Sequence, residues 1–296
     1  MCALYSGSPA SVNPTCNDTR NPKITIFNGY SQFKDNIPEQ VNYSDRGTRQ
    51  AISKFTPRSR SNLLKRIFSL SSFPTLFVTL TYPKYFPADS KEWKRHLDNF
   101  RHELLIRYPN LWFFWKLEPQ KRGAPHFHLI GSLGPKENVV YLRNYIAMLW
   151  FVTCGTGDPK HLKAGTQVDY IADAQGKMRS YVSKYIGKTD LANYEGWEHP
   201  GRFWGIIGRK NLPPILSIKV FLSDSQYYTV KRLVRRWLKR QSSRAYKFSK
   251  RLRSVASFPL FVSSKVIKKI LTAVLDSLPD PLPHTELKSI PQPIFC

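Results

Sequence analysis

The chain has 296 residues, with 46 Lys and Arg against 20 Asp and Glu, a formal charge of +26. Its 41% hydrophobic and 14% aromatic content supports a packed core and excludes wholesale disorder, while the length excludes a large multi-domain machine. The charge excess asks for a polyanionic partner, nucleic acid before an acidic membrane surface.

Residues 1–45 are rich in Ser, Asn, Pro and Gly, with one strand-like run at Ile24–Phe27, and read as a loose arm. From Thr48, Ile52 and Phe55 and then Leu63, Leu64, Ile67 and Phe68 recur at helical spacing, with Ser59 and Ser61 as the N-cap region of the second set. Leu76–Tyr82 is β-branched and aromatic and reads as a buried strand ended by Pro83. A helix is predicted over 90–108, with Trp93, Leu97, Phe100 and Leu104 as its apolar stripe. Residues 111–118 and 126–133 read as a hairpin whose connector carries Pro and Gly. Further along, the pattern predicts a helix at 139–151, a strand at 167–172 and an amphipathic helix at 177–188. This order suits an α+β fold with helices on an antiparallel sheet. Residues 231–253 hold many Lys and Arg and no acid, with a stripe of Val230, Leu233, Val234, Trp237 and Leu238, and read as one basic helix. A second amphipathic helix follows at about 265–278, before a Pro-rich end. The divisions are therefore 1–45, 46–220, 221–278 and 279–296.

The cysteines Cys2, Cys16, Cys154 and Cys296 are far apart and form no Cys-x-x-Cys pair. That argues against a disulfide framework or a zinc ribbon and for a reducing compartment. No leader-like segment opens the sequence, and no apolar run approaches the roughly 18–20 residues of a membrane span. A soluble, intracellular protein is expected.

The sharpest chemical feature is His126-Phe127-His128. Alternate residues of a strand share a face, so both imidazoles point one way and Phe127 enters the core. Glu118 ends the preceding strand and lies opposite them once the hairpin closes. Two imidazoles and a carboxylate leave coordination positions open on a divalent metal, as a Lewis-acid site requires. A second cluster is Tyr181, Lys184, Tyr185 and Lys188, which fall on one stripe of the 177–188 helix, opposite Met178, Val182 and Ile186. Phenols flanked by ammonium groups suit a nucleophilic role, since neighbouring cations favour the phenolate. Gly187-Lys188-Thr189 imitates the end of a phosphate-binding loop, but Val182 stands where its first glycine is needed, and ATP binding is rejected. Trp112, Trp115 and Phe127 lie within strands and read as core rather than as base-stacking platforms.

Taken in order, Phe77–Tyr82, Gly123–His128 and Tyr181–Lys184 resemble the three motifs of the HUH endonucleases (His–hydrophobic–His), in particular the rolling-circle replication initiators of single-stranded DNA phages and plasmids. Gly201–Gly205 is similar to a segment that follows the third motif. The resemblance covers roughly residues 45–215. It implies a five-stranded antiparallel sheet with flanking helices, related to RNA-recognition sheets, in an endonuclease domain at 46–220. The implied activity is nicking and joining of single-stranded origin DNA through a 5′-phosphotyrosine, with Tyr181 and Tyr185 as nucleophiles and Lys184 beside them. Glu118, His126 and His128 would hold Mg2+ or Mn2+. Arg122, Lys188, Arg202, Arg235, Arg236, Lys239 and Arg240 are the candidate DNA contacts. A host helicase and polymerase are the expected partners, in the cytoplasm of a bacterial host. A transposase or relaxase with the same site, or a non-catalytic basic DNA-binding protein, are the competing readings.

Overall fold

The computed structural model describes residues 21–36, 52–134, 136–171, 182, 186 and 196–275, and the backbone of 285–290. Two antiparallel five-stranded sheets organise them. The first is the sheet that the 76–133 pattern and the resemblance lead one to expect, in an α+β fold. The second is additional.

The first sheet contains β3 (Leu76–Thr81), β4 (Trp112–Pro119), β5 (Pro125–Ser132), β6 (Thr166–Tyr170) and β7 (Trp204–Ile207), in the order β6-β3-β5-β4-β7. One face is apolar: Val78, Leu80, Phe113, Leu117, Phe127 and Leu129 are all buried. Against it pack α2 (Ser90–Arg107) and α3 (Val139–Cys154). Trp150 of α3 meets Phe127 edge-on at 6.2 Å and Phe100 of α2 at 5.8 Å. The predicted stripe Trp93, Leu97, Phe100 and Leu104 is the buried face of α2. Asp89 caps that helix by accepting from the Lys91 amide, and Asn138 caps α3. The short α4 (Pro159–Ala164) leads into β6.

Helix α1 spans Pro57–Ser69 and starts before the predicted Ser59/Ser61 cap region. Thr56 accepts from the Ser59 amide, and Pro57 stands where a missing N–H costs nothing. Of the residues expected to begin this stripe, Phe55 is buried and Ile52 is exposed, both outside the helix.

The second sheet has the order β10-β8-β1-β2-β9. Its strands are β1 (Lys23–Ile26), β2 (Ser31–Lys34), β8 (Ile215–Phe221), β9 (Ser257–Leu260) and β10 (Thr285–Ile290). The run at 24–27, read as part of a loose arm, is thus built into a sheet. The reason is alternation: Ile24, Ile26 and Phe33 point inward, and Phe33 stacks on Phe258 at 4.6 Å. Helices α5 (Asp224–Lys239) and α7 (Ser264–Leu275) close this core with Val230, Val234, Leu238, Ile267 and Leu271. The single helix predicted over 231–253 is two. After α5 the chain breaks, and Ser242 accepts from the Ala245 amide to start α6 (Ser243–Arg251). The hairpin tip ties the sheets together, as Asn28 donates to the Leu70 and Ser71 carbonyls at 3.0 and 3.1 Å. Among the described residues no helix is long and apolar enough to cross a membrane.

If the β1–β2 hairpin is core, Phe33→Ala should cost about 3–5 kcal/mol. Urea unfolding of the full chain measures this. A change below about 1 kcal/mol, the scale of an ordinary surface substitution or less, would return residues 23–34 to the status of an arm.

Candidate active site on the first sheet

The second face of the first sheet is polar at one end. Register places Thr81 beside His126, and His126 opposite Glu118. One step along, Thr79, His128, Lys116 and Trp204 form a row across four strands. The turn that returns β5 onto β4 is closed by Gln120 and Ala124 and needs Gly123 at φ 83°. The pleat then sends Phe127 into the core and both imidazoles to the polar face, where their rings sit 4.4 Å apart and nearly perpendicular.

Glu118 does not bond the residue directly across from it. One carboxylate oxygen lies 2.7 Å from His128 Nε2, and the other accepts from Lys116 Nζ at 2.8 Å. Burial would raise Glu118, but the hydrogen bond and charge of His128, with Lys116, outweigh it and hold the carboxyl down to about 2. His126 is held by the Thr81 hydroxyl, 2.8 Å from Nδ1. Burial, with His128 and Lys116 nearby, pushes His126 down to about 3, so its imidazole is neutral at ordinary pH. Thr81 is itself fixed. Its carbonyl accepts from Trp150 Nε1 and lies 2.9 Å from His161 Nε2, and its amide donates to Gly165.

Among the described residues no three His, Cys, Asp or Glu side chains converge as a metal cage. Glu118 and His128 face each other instead. The donor set nevertheless fits a divalent ion in type, because it offers a neutral imidazole and an ionised carboxylate within one hydrogen-bonded cluster. The Thr81 contact at Nδ1 leaves Nε2 of His126 as the nitrogen for a ligand, the arrangement by which a neighbouring group orients a metal-binding imidazole.

The other predicted residues are placed differently. Tyr181, Lys184, Tyr185 and Lys188 lie outside the described residues. Val182 and Ile186, expected on the packing side of that segment, are fully buried. Arg122 spends its guanidinium on the carbonyls of Tyr82, Pro83 and Lys84, so it clamps the loop after β3 to the β4–β5 turn. Arg235 Nε donates to the Ser249 carbonyl and ties α5 to α6. Arg202, Arg236, Lys239 and Arg240 are at least partly exposed. Trp112 and Phe127 are buried; Trp115 is half-buried, close against Gly205 and under Lys94. Sequence reading missed Lys116 and Thr81. Each is legible in retrospect, because Lys116 shares strand parity with Glu118, and Thr81 with the polar Thr79.

Residues 75–190 match the model of a replication-associated protein family, the ORF2 type. Over 210 residues, 65% of this chain and 70% of the relative, the chain is 26% identical to the replication-associated protein of Pseudomonas phage Pf3. No solved structure matches.

The site makes the fold acid-sensitive. His126 stays neutral in the fold but binds a proton in the unfolded chain below about pH 6.5, and Glu118 stays ionised where the unfolded carboxyl protonates below about 4.5. The unfolded chain therefore binds more protons, and stability rises with pH. Melting temperature, measured with metal chelated, should fall from pH 6.5 toward 3. His126→Gln should flatten the decline between 6.5 and 4.5; an unchanged slope would mean that His126 is already protonated in the fold.

Proposed function

We propose that this chain, matched over residues 75–190 to a replication-associated protein family, starts rolling-circle replication by nicking and rejoining single-stranded origin DNA. The observation that carries the chemistry is the cluster of Glu118, His126 and His128 on one sheet face, within the matched segment. The motif order supplies the rest, since Tyr181 and Tyr185 stand in the same segment as the tyrosines of the resembling initiators.

Glu118, His126 and His128 would hold Mg2+ or Mn2+, and that ion would supply Lewis-acid polarisation of a non-bridging phosphate oxygen. His128, with Lys116, keeps the Glu118 carboxylate ionised, and Thr81 fixes the plane of His126. The Tyr181 phenol gives its proton to solvent water, its oxygen attacks phosphorus in line, the bond to the 3′ oxygen breaks, and that oxygen takes a proton from water and leaves as a free 3′-hydroxyl for a polymerase. Lys184 offsets the phosphate charge. The phosphotyrosine preserves the bond energy, so Tyr185 and the 3′-hydroxyl can later close a circle. Unwinding falls to a host helicase, in a bacterial cytoplasm.

The long basic segment contributes affinity through Arg236, Lys239 and Arg240. Its apolar stripe belongs to the core of the second sheet, where Val230 and Val234 are fully buried, so removing the whole segment would remove that core as well. Charge substitutions are the cleaner test. With all three changed to Gln, the salt slope of single-strand binding should flatten by up to about 2, roughly 0.7 for each phosphate no longer neutralised. An unchanged slope assigns those cations to solvent.

Incubation with single-stranded phage origin DNA and Mn2+, followed by denaturing electrophoresis, should give a covalent adduct. His126→Ala and His128→Ala should abolish it while retaining most DNA affinity. Tyr181→Phe should lose most first-strand cleavage, and Tyr185→Phe should nick but release few closed circles. Adduct formation by the double tyrosine variant would falsify the tyrosine mechanism.

A further inference from the structure

A cavity of about 440 Å3 lies where the two sheets meet, outside the histidine cluster. Its walls are Phe27 and Tyr30 from the β1–β2 hairpin, Asn62, Lys65 and Arg66 from α1, and Trp204 from β7. The volume is in the range of small-ligand sites.

Its chemistry is mixed in a particular way. Phe27 and Tyr30 stack on each other at 4.5 Å and give a rigid aromatic wall. Trp204 is anchored by its indole N–H, which donates to the Ser59 hydroxyl at 2.9 Å, so its ring is held in one orientation. Asn62 is exposed on the rim and offers both a donor and an acceptor. Lys65 and Arg66 are half-buried, and neither forms an ion pair with an acid among the described residues. Aromatic rings, one amide and two cations with no ion-pair partner among the described residues match a nucleotide of a single strand: rings for the base, the amide for its edge, the cations for flanking phosphates.

Position on the sheet points the same way. Trp204 sits in the same register row as His128, with Lys116 between them. Two strand spacings, about 10 Å, separate the cavity's tryptophan from the candidate active site. A strand whose phosphate sits at the histidines thus has a base available here within a nucleotide or two.

We propose that this cavity is a base-reading site, which takes one nucleobase of single-stranded DNA close to the cleaved bond. The proposal rests on the nicking reading for the location of that bond. It does not rest on it for base binding itself.

The full chain should be incubated with a random single-stranded 40-mer library and Mn2+, and both the retained and the cleaved strands sequenced. One base position should be enriched about tenfold, the scale of one hydrogen-bonded base-edge contact, and in cleaved strands it should lie within two nucleotides of the break. Asn62→Ala should lose most of that enrichment, and Arg66→Gln should weaken retention of every sequence while keeping the preference, both variants being checked by overlaid thermal melts. Retained strands with a preference erased by Asn62→Ala, but no cleaved strands, would sink the nicking reading and leave the cavity's role standing. Cleaved strands carrying no base preference, or the same preference in Asn62→Ala, would overturn the base-reading site. So would the absence of any enriched position in the retained strands.

Discussion

The site depends on how the end of β3 is held at Thr81. One residue contributes a hydroxyl to His126, a carbonyl to Trp150 and His161, and an amide to Gly165. Trp150 belongs to the helix layer on the far side of the sheet and His161 to α4, so packing of the apolar face is mechanically linked to the aim of an imidazole on the polar face. Apolar burial supplies the rigidity, and the hydroxyl converts it into ring orientation. A catalytic cluster on a sheet needs such a link, because side chains on a pleated surface are otherwise free to rotate.

Charge balance is the second organising feature. Lys116 is almost fully buried, which is costly for an ammonium unless it is paired and hydrogen-bonded. Its partner is Glu118, and Phe55 lies under it at 5.5 Å. In return, Lys116 helps to keep the carboxylate ionised beside two imidazoles. One carboxylate thus answers both the Lys116 ammonium and the His128 ring at the centre of the site.

Much of the first sheet is legible from sequence because its signals are local. The alternation at His126-Phe127-His128, the short connector after Glu118 and the stripe from Trp93 to Leu104 each specify their geometry within a few residues. The second sheet is not legible that way. Its strands β1, β2 and β9 have 4 residues each, too few to show a period. They also pair across most of the chain, Phe33 with Phe258 and Ile24 with Val220. The break between α5 and α6 is hidden for another reason: basic residues resume at Arg244 after only Gln241, Ser242 and Ser243, and the Ser242 cap marks the new start. Glu118 was legible as a partner of the histidines, but its diagonal choice of His128 over His126 is decided by side-chain reach, which register does not encode.

The pairing of β1 and β2 with β8 and β9 has a consequence for synthesis. As the chain leaves a ribosome, residues 23–34 emerge before the first sheet, yet their neighbours at 215–221 and 257–260 emerge after it. The first sheet, contained within 76–207, can assemble in the interval, while the early hairpin waits with Ile24, Ile26 and Phe33 uncovered. Closing so long a loop is slow compared with local folding. Nascent chains are therefore exposed along this hairpin until residues 215–260 have followed, and a chaperone or a protease acting during synthesis would meet the protein there.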